Sequence, residues 1–392
     1  MTGGWNLWSR DRIAVAVHFA MLGLVCSAWA SSIDDLKALL GATDTQLGML
    51  LFSGPVGNLV SFAFAGRLIR RLGSRRSLRI ACLCYLAGAF LLACDFMFRA
   101  PFALWCFSVA WFGMTGNIFN ISVNTQAGIV EKRAGRQIMN TFHAMFSVAM
   151  LAGSILTLAA SVLSVPVSWR FFLSVLLAAA AHLVSVHALP GGDAEPRTSA
   201  GSRRLRPDRS LLALGLAAMV IMGCEGSIGD WVCVYYRDSL GAVGGSVKWG
   251  FCAVMSMMVV GRLVTDGLVN RFSARTVFHV YSVLTASGLG IALSSPYMGI
   301  GGTALLAVAT AGYGIAGYGI SGLVPILYSK GNRAKCMPPA SALTFIGSMG
   351  FLGYFLGPPL IGRVADLASL SAALGIFAAL MLFCLFIDPD SE

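Results

Sequence analysis

The sequence predicts an all-α membrane protein of twelve transmembrane helices arranged as two six-helix halves. Three observations carry this expectation. First, 57% of the 392 residues are apolar and 11% are charged, against roughly 25% charged in a soluble domain. In water such a chain would expose apolar patches large enough to drive association. Second, the apolar residues gather into runs near the roughly 20 residues that a helix needs to cross about 30 Å of hydrocarbon. Third, the basic residues concentrate in every second connection between those runs, which is the asymmetry that orients a membrane protein. Helix is the expected form because lipid offers backbone groups no water to bond.

The apolar windows lie at 13–33, 47–69, 78–98, 102–130, 139–163 and 168–189. They resume at 210–236, 246–270, 276–295, 300–328, 339–364 and 369–387. The first follows Arg10 and Arg12 and is too long for the core of a cleavable signal, so it is expected to be the first span. The connection after the second window carries Arg67, Arg70, Arg71, Arg75, Arg76 and Arg79, and the one after the fourth carries Lys132, Arg133 and Arg136. After the sixth comes the one long polar stretch, 190–209, rich in Gly, Ser, Pro and Arg. It is expected to be a cytoplasmic linker between an N-terminal half, 1–189, and a C-terminal half, 210–392. Arg271 and Arg275 follow the eighth window, and Lys330, Arg333 and Lys335 the tenth. The opposite side has only Lys37, Arg99, Arg170, Arg237, Lys248 and Arg363, so both termini are expected in the cytoplasm.

The net charge of +11 does not point to nucleic acid, because the basic residues sit in short loops and form no patch with interleaved aromatics. Cys82, Cys84, Cys94, Cys106, Cys224, Cys233 and Cys252 are scattered through apolar windows without a C-x-x-C pair or a neighbouring histidine cluster. They are expected to be small buried residues, with neither metal nor disulfide. No nucleophile–base set, nucleotide loop or metal-ligand spacing suggests an enzyme or a cofactor. The two halves echo each other: Gly66-Arg67-Leu68 has a counterpart in Gly261-Arg262-Leu263, and Thr141-Phe142 in Thr344-Phe345. A duplicated bundle of this kind implies a binding site near the midplane where the halves meet.

The run Gly66-Arg67-Leu68-Ile69-Arg70-Arg71-Leu72-Gly73-Ser74-Arg75-Arg76 resembles the signature between helices 2 and 3 of the major facilitator superfamily. In that loop Gly73 makes the turn and the arginines anchor the cytoplasmic face. The chain departs from the pattern at Arg70, where the family usually has an acidic residue. Two stretches are similar to the fucose-permease-like bacterial branch: 120–126 continuing into 135–145, and Glu225 to Trp231 in the seventh window. Relatives of that type often carry a carboxylate where this chain has Asn120. The resemblance implies a monomeric secondary transporter in a bacterial inner membrane. The amides Asn117 and Asn120 in helix 4, with Glu225 in the other half, point to a small polar metabolite, such as a sugar or sugar derivative, moved by alternating access, and Glu225 as the deep carboxylate suggests proton-coupled uptake. The alternatives are efflux of amphipathic compounds or drugs, and a solute sensor that transports nothing.

An ionisable group inside a membrane costs about 2.5–3.5 kcal/mol at a helix centre on insertion scales, so each needs a reason. Glu225, deep in helix 7, is the candidate for substrate binding or protonation, or else a structural carboxylate tying two helices together. Asn117, Asn120 and Asn124 share one face of helix 4, where amides suit hydroxylated ligands. Interhelical bonding is the other reading, favoured for Asn124. His143 and Ser147 lie one turn apart in helix 5, and the histidine is either a substrate or proton ligand or a structural donor. Asn58 and Trp29 complete the candidate binding set, with packing or an interfacial anchor as the favoured reading of Trp29. Asp230, Asp266, Arg262 and Arg70 form the candidate gating set, with a solvated helix-end charge as the equal reading of Asp230 and an inter-helix ion pair as the other reading of Asp266. Glycines around Tyr313 and Tyr318 suggest a bendable helix 10, and Pro358-Pro359 is expected to kink helix 11.

Overall fold

A computed structural model describes residues 9–134, 138–191, 207–331 and 339–387. Every regular element among them is helical. The long helices in chain order are α1 (Arg10–Ala30), α2 (Ile33–Leu40), α3 (Asp44–Phe62), α4 (Ala65–Leu72), α5 (Ser74–Phe98), α6 (Phe102–Ala134), α7 (Met139–Val162) and α8 (Val167–Ser185). They continue as α9 (Arg209–Asp238), α10 (Trp249–Phe272), α11 (Ala274–Ser294), α12 (Gly302–Ile320), α13 (Leu323–Gly331), α14 (Pro339–Leu367) and α15 (Leu370–Phe383). Ten stretches of the described residues are long and apolar enough to cross a membrane. The other two windows, 47–69 and 369–387, hold the shorter helices α3, α4 and α15.

Three windows are broken where the sequence reads as continuous. The first bends at Ser31-Ser32 between α1 and α2, the second at Ala63-Phe64 between α3 and α4, and the tenth at Ser321-Gly322 between α12 and α13. The glycines around Tyr313 and Tyr318 lie within α12, and Pro358 and Pro359 lie within α14. Most of the linker, 192–206, lies outside the described residues.

The chain forms two compact units. One comprises Met1–Trp29, Ser53–Thr157 and Val165–Ser199, and the other Ala30–Phe52, Leu158–Ser164 and Ala200–Glu392. In the first unit, α3 lies so close to α6 that a Cβ on Gly57 would sit 2.0 Å from the Ala110 carbonyl oxygen. In the second, α9 packs on α14, and a Cβ on Gly353 would sit 2.0 Å from the Met219 oxygen. Small residues at such crossings let backbones approach, which replaces the hydrophobic drive that lipid does not supply.

The expected turn at Gly73 is present: its φ of 77° and ψ of 154° suit glycine. Ser273, between α10 and α11, holds nearly the same conformation, φ 91° and ψ 152°, with a side chain attached. Its hydroxyl accepts from the Thr276 amide at 3.3 Å and caps α11. A non-glycine residue there stores about 1–3 kcal/mol of strain, whereas exchanging a serine cap for glycine costs only a few tenths. Ser273→Gly is therefore expected to raise stability by about 1 kcal/mol and Ser273→Val to lower it. Thermal unfolding of the purified variants checks the sign, and a loss for the glycine variant would show that the cap outweighs the strain.

Candidate functional site

In the first unit the polar candidates sit on α3, α6 and α7. The Asn117 amide on α6 donates to Ser61 Oγ at 2.6 Å and, more weakly, to the Asn58 carbonyl at 3.4 Å, both on α3. Both bonds of Asn117 are thus interhelical, while the amide keeps its acceptor oxygen. Asn120 is exposed and accepts at Oδ1 from Asn124 at 2.9 Å. Asn124, expected to tie α6 to another helix, instead bonds within α6, because a residue four positions earlier on one face is the nearest acceptor. His143 is exposed near the start of α7, with its ring edge-on to Phe19 at 5.2 Å. Ser147 spends its hydroxyl on the His143 carbonyl at 3.2 Å. Trp29 packs at 6.2 Å from Phe112.

The loop arginines of this unit have definite partners. Arg75 donates to the His187 carbonyl at 2.8 Å and Arg79 to that of Val186 at 3.0 Å. Cations there complement the carbonyl end of α8. The side chain of Arg70 lies outside the described residues, as does that of Asp266.

In the second unit, Glu225 sits just past the middle of α9, with Arg262 of α10 3.5 Å from its Oε1. Neither side chain is sealed off: the carboxylate is 24% exposed and the guanidinium 38%. Asp230, half-buried, lies further along α9. Sequence alone assigns Glu225 to binding and Arg262 to gating without connecting them, and the geometry makes them one pair.

A second charged group has no counterpart in the sequence reading. Asp34 and Asp35 at the head of α2 face Arg237 at the end of α9 and Lys248 just before α10. Arg237 stands 2.7 Å from Asp34 and 2.6 Å from Asp35, and Lys248 is paired with Asp34 and lies 3.1 Å from Asp35. Asp34 and Lys248 are almost wholly buried. Beside them Lys37 bridges Asp44 and Asp238, each at 2.5 Å. Asp366 accepts from the backbone amides of Asp44 and Thr45 at 3.0 and 2.9 Å, capping α3. The available signal was the Asp34-Asp35 doublet and a lysine standing against an apolar window.

Cys82 is buried and free of any disulfide. Cys82, which has no histidines near it in the chain, stands in the fold with His18 and His182. Their donor atoms all lie within 4.8 Å of one another.

The sequence profile of the Major Facilitator Superfamily matches residues 13–337. The chain belongs to the major facilitator superfamily. It is accordingly an integral membrane protein of the transporter type, and its relatives are carriers, not enzymes. A superfamily transporter of Yersinia pestis, itself uncharacterised, is 30% identical over 380 residues, covering 95% of this chain and 93% of its own. Solved transporter structures share the fold. A point mutant of the nucleoside transporter NupG aligns with a TM-score of 0.74 at 13% identity, over 95% of this chain and 98% of its own. A D-xylose–proton symporter aligns with a TM-score of 0.72 at 12% identity, over 98% and 99%.

Proposed function

We propose that this facilitator is a proton-coupled importer of a small hydroxylated metabolite, a sugar, sugar derivative or nucleoside, working by alternating access. The observation that carries the reading is the Glu225–Arg262 pair, two opposite charges kept partly exposed within the apolar stretches of α9 and α10. A coupling pair has to stay within reach of a proton, whereas a pair that only joins α9 to α10 does not. Partial exposure puts both Glu225 and Arg262 within reach of a ligand or a proton. In this reading Glu225 is the coupling carboxylate and Arg262 its counter-ion. Asn117, Asn120, Asn58, His143, Ser147 and Trp29 contact substrate, and Asp230, Asp266 and Arg70 act in gating. Similarity to a nucleoside transporter and a xylose–proton symporter supports the substrate class.

The same proposal takes the chain as twelve membrane helices in two six-helix halves, 1–189 and 210–392, joined by a linker at 190–209. It places a monomer of the fucose-permease-like branch in a bacterial inner membrane, with both termini cytoplasmic. A thermal-shift screen of the purified protein against sugars, sugar acids, amino sugars, nucleosides, organic acids and amphipathic drugs tests the substrate class. A ligand at about 100 times its Kd stabilises the folded state by roughly 2.7 kcal/mol. Stabilisation by a hydroxylated metabolite is the expected result. Stabilisation by amphipathic drugs alone would replace import with efflux.

A further inference from the structure

We propose that His18, His182 and Cys82 form a buried transition-metal site in the first unit, selective for a soft d10 ion of the copper(I) class. The three residues come from α1, α8 and α5, and the two histidines are 164 positions apart, so no spacing in the sequence announces them. All three side chains are buried, and among the described residues they form the one such group of three with donor atoms this close.

The hydrogen bonding pre-orients the donors. His18 Nδ1 donates to the Ala14 carbonyl at 2.7 Å, which fixes the tautomer and turns the Nε2 lone pair toward His182. A ligating histidine held at its other nitrogen by a carbonyl is the usual outer-shell arrangement of metal sites. His18 Nε2 and His182 Nδ1 are 3.0 Å apart, sharing a single proton between them. Two imidazole nitrogens bound to one ion at about 2.0–2.1 Å stand roughly 3.3–3.5 Å apart. A rotation of a few tenths of an ångström therefore lets an ion replace that proton. The displaced proton moves to His182 Nε2, leaving both rings neutral, and the Cys82 thiol releases its proton to solvent as the S–metal bond forms.

Charge selects the ion. Copper(I) with one thiolate and two neutral imidazoles makes a neutral complex, whereas zinc(II) leaves a net positive charge in a site where bare charge is expensive. The guanidinium of Arg79, bonded to Val186 just beyond His182 on the chain, adds to that penalty. A thiolate with two imidazoles is also a soft donor set, and three donors suit a low-coordinate copper(I). The bound ion would clamp α1, α5 and α8 together.

The test titrates chelator-stripped, detergent-purified protein with copper(I), buffered anaerobically by a chromophoric copper(I) chelator, and runs zinc(II) in parallel. The expected result is one copper(I) per chain with one proton released. Affinity should fall at least about 100-fold in Cys82→Ser and in His18→Gln, and should be unchanged in Cys94→Ser. X-ray absorption of the copper-loaded wild-type protein should show one sulfur and two nitrogen neighbours, a readout that needs no variant to fold. Binding that survives both substitutions, a shell without sulfur, or no binding at all would overturn the site. Tighter, Cys82-dependent binding of zinc(II) would overturn the copper(I) assignment.

Discussion

Replacing Lys248 with methionine is expected to cost the fold about 3–5 kcal/mol, seen as a lower thermal midpoint and a reduced yield of monodisperse protein. The methionine fills much of the same volume, so the loss is electrostatic. Four charges meet at this point, Asp34 and Asp35 against Arg237 and Lys248, and they balance. Removing Lys248 leaves two carboxylates facing one guanidinium, with Asp34 fully buried. Breaking a buried pair strands an uncompensated charge, whereas removing both members is often nearly neutral. The double variant Asp34→Asn with Lys248→Met keeps the Arg237–Asp35 pair at 2.6 Å and restores neutrality. It should recover most of the lost stability. A double variant as unstable as Lys248→Met alone would show that packing around the lysine, not charge balance, holds this corner.

That cluster also marks where sequence reasoning stops. The membrane class is legible because composition and run length are properties of the chain alone, and the superfamily profile agrees with the resemblance read from 66–76. The Gly73 turn is legible because only glycine takes that backbone conformation without strain. The helix breaks at Ser31-Ser32 and Ser321-Gly322 are not, since serine is tolerated in membrane helices and neither break carries a proline. Asp34 and Lys248 are 214 positions apart, and His18 and His182 are 164. Pairings over such separations are created by the fold and leave no local pattern. In the sequence Lys37, Arg237 and Lys248 count only as sparse cations on one side, a count that records sign and hides partners. Glu225 stands out there as a charge needing a reason. Its partner, Arg262, lies on the next span and reads as a separate feature.

Glu225→Gln is expected to abolish proton-driven accumulation of substrate while exchange of substrate across the membrane continues. The proposed importer needs one group whose charge changes during the cycle and whose partner responds to the change. As a carboxylate Glu225 attracts Arg262 across 3.5 Å; once protonated it no longer does, and the guanidinium can turn to another partner. Glutamine holds the site permanently in the uncharged form, so net transport loses its link to the proton gradient. Exchange needs no net proton movement and should survive. With one proton per cycle, a gradient of one pH unit supports about tenfold accumulation, and the variant in proteoliposomes should fall to equilibration. Arg262→Lys keeps a cation opposite the carboxylate and should preserve part of the accumulation, whereas Arg262→Gln removes the responding partner and should not. Accumulation at the wild-type level in Glu225→Gln would take Glu225 out of the coupling mechanism and leave the pair as a tie between α9 and α10.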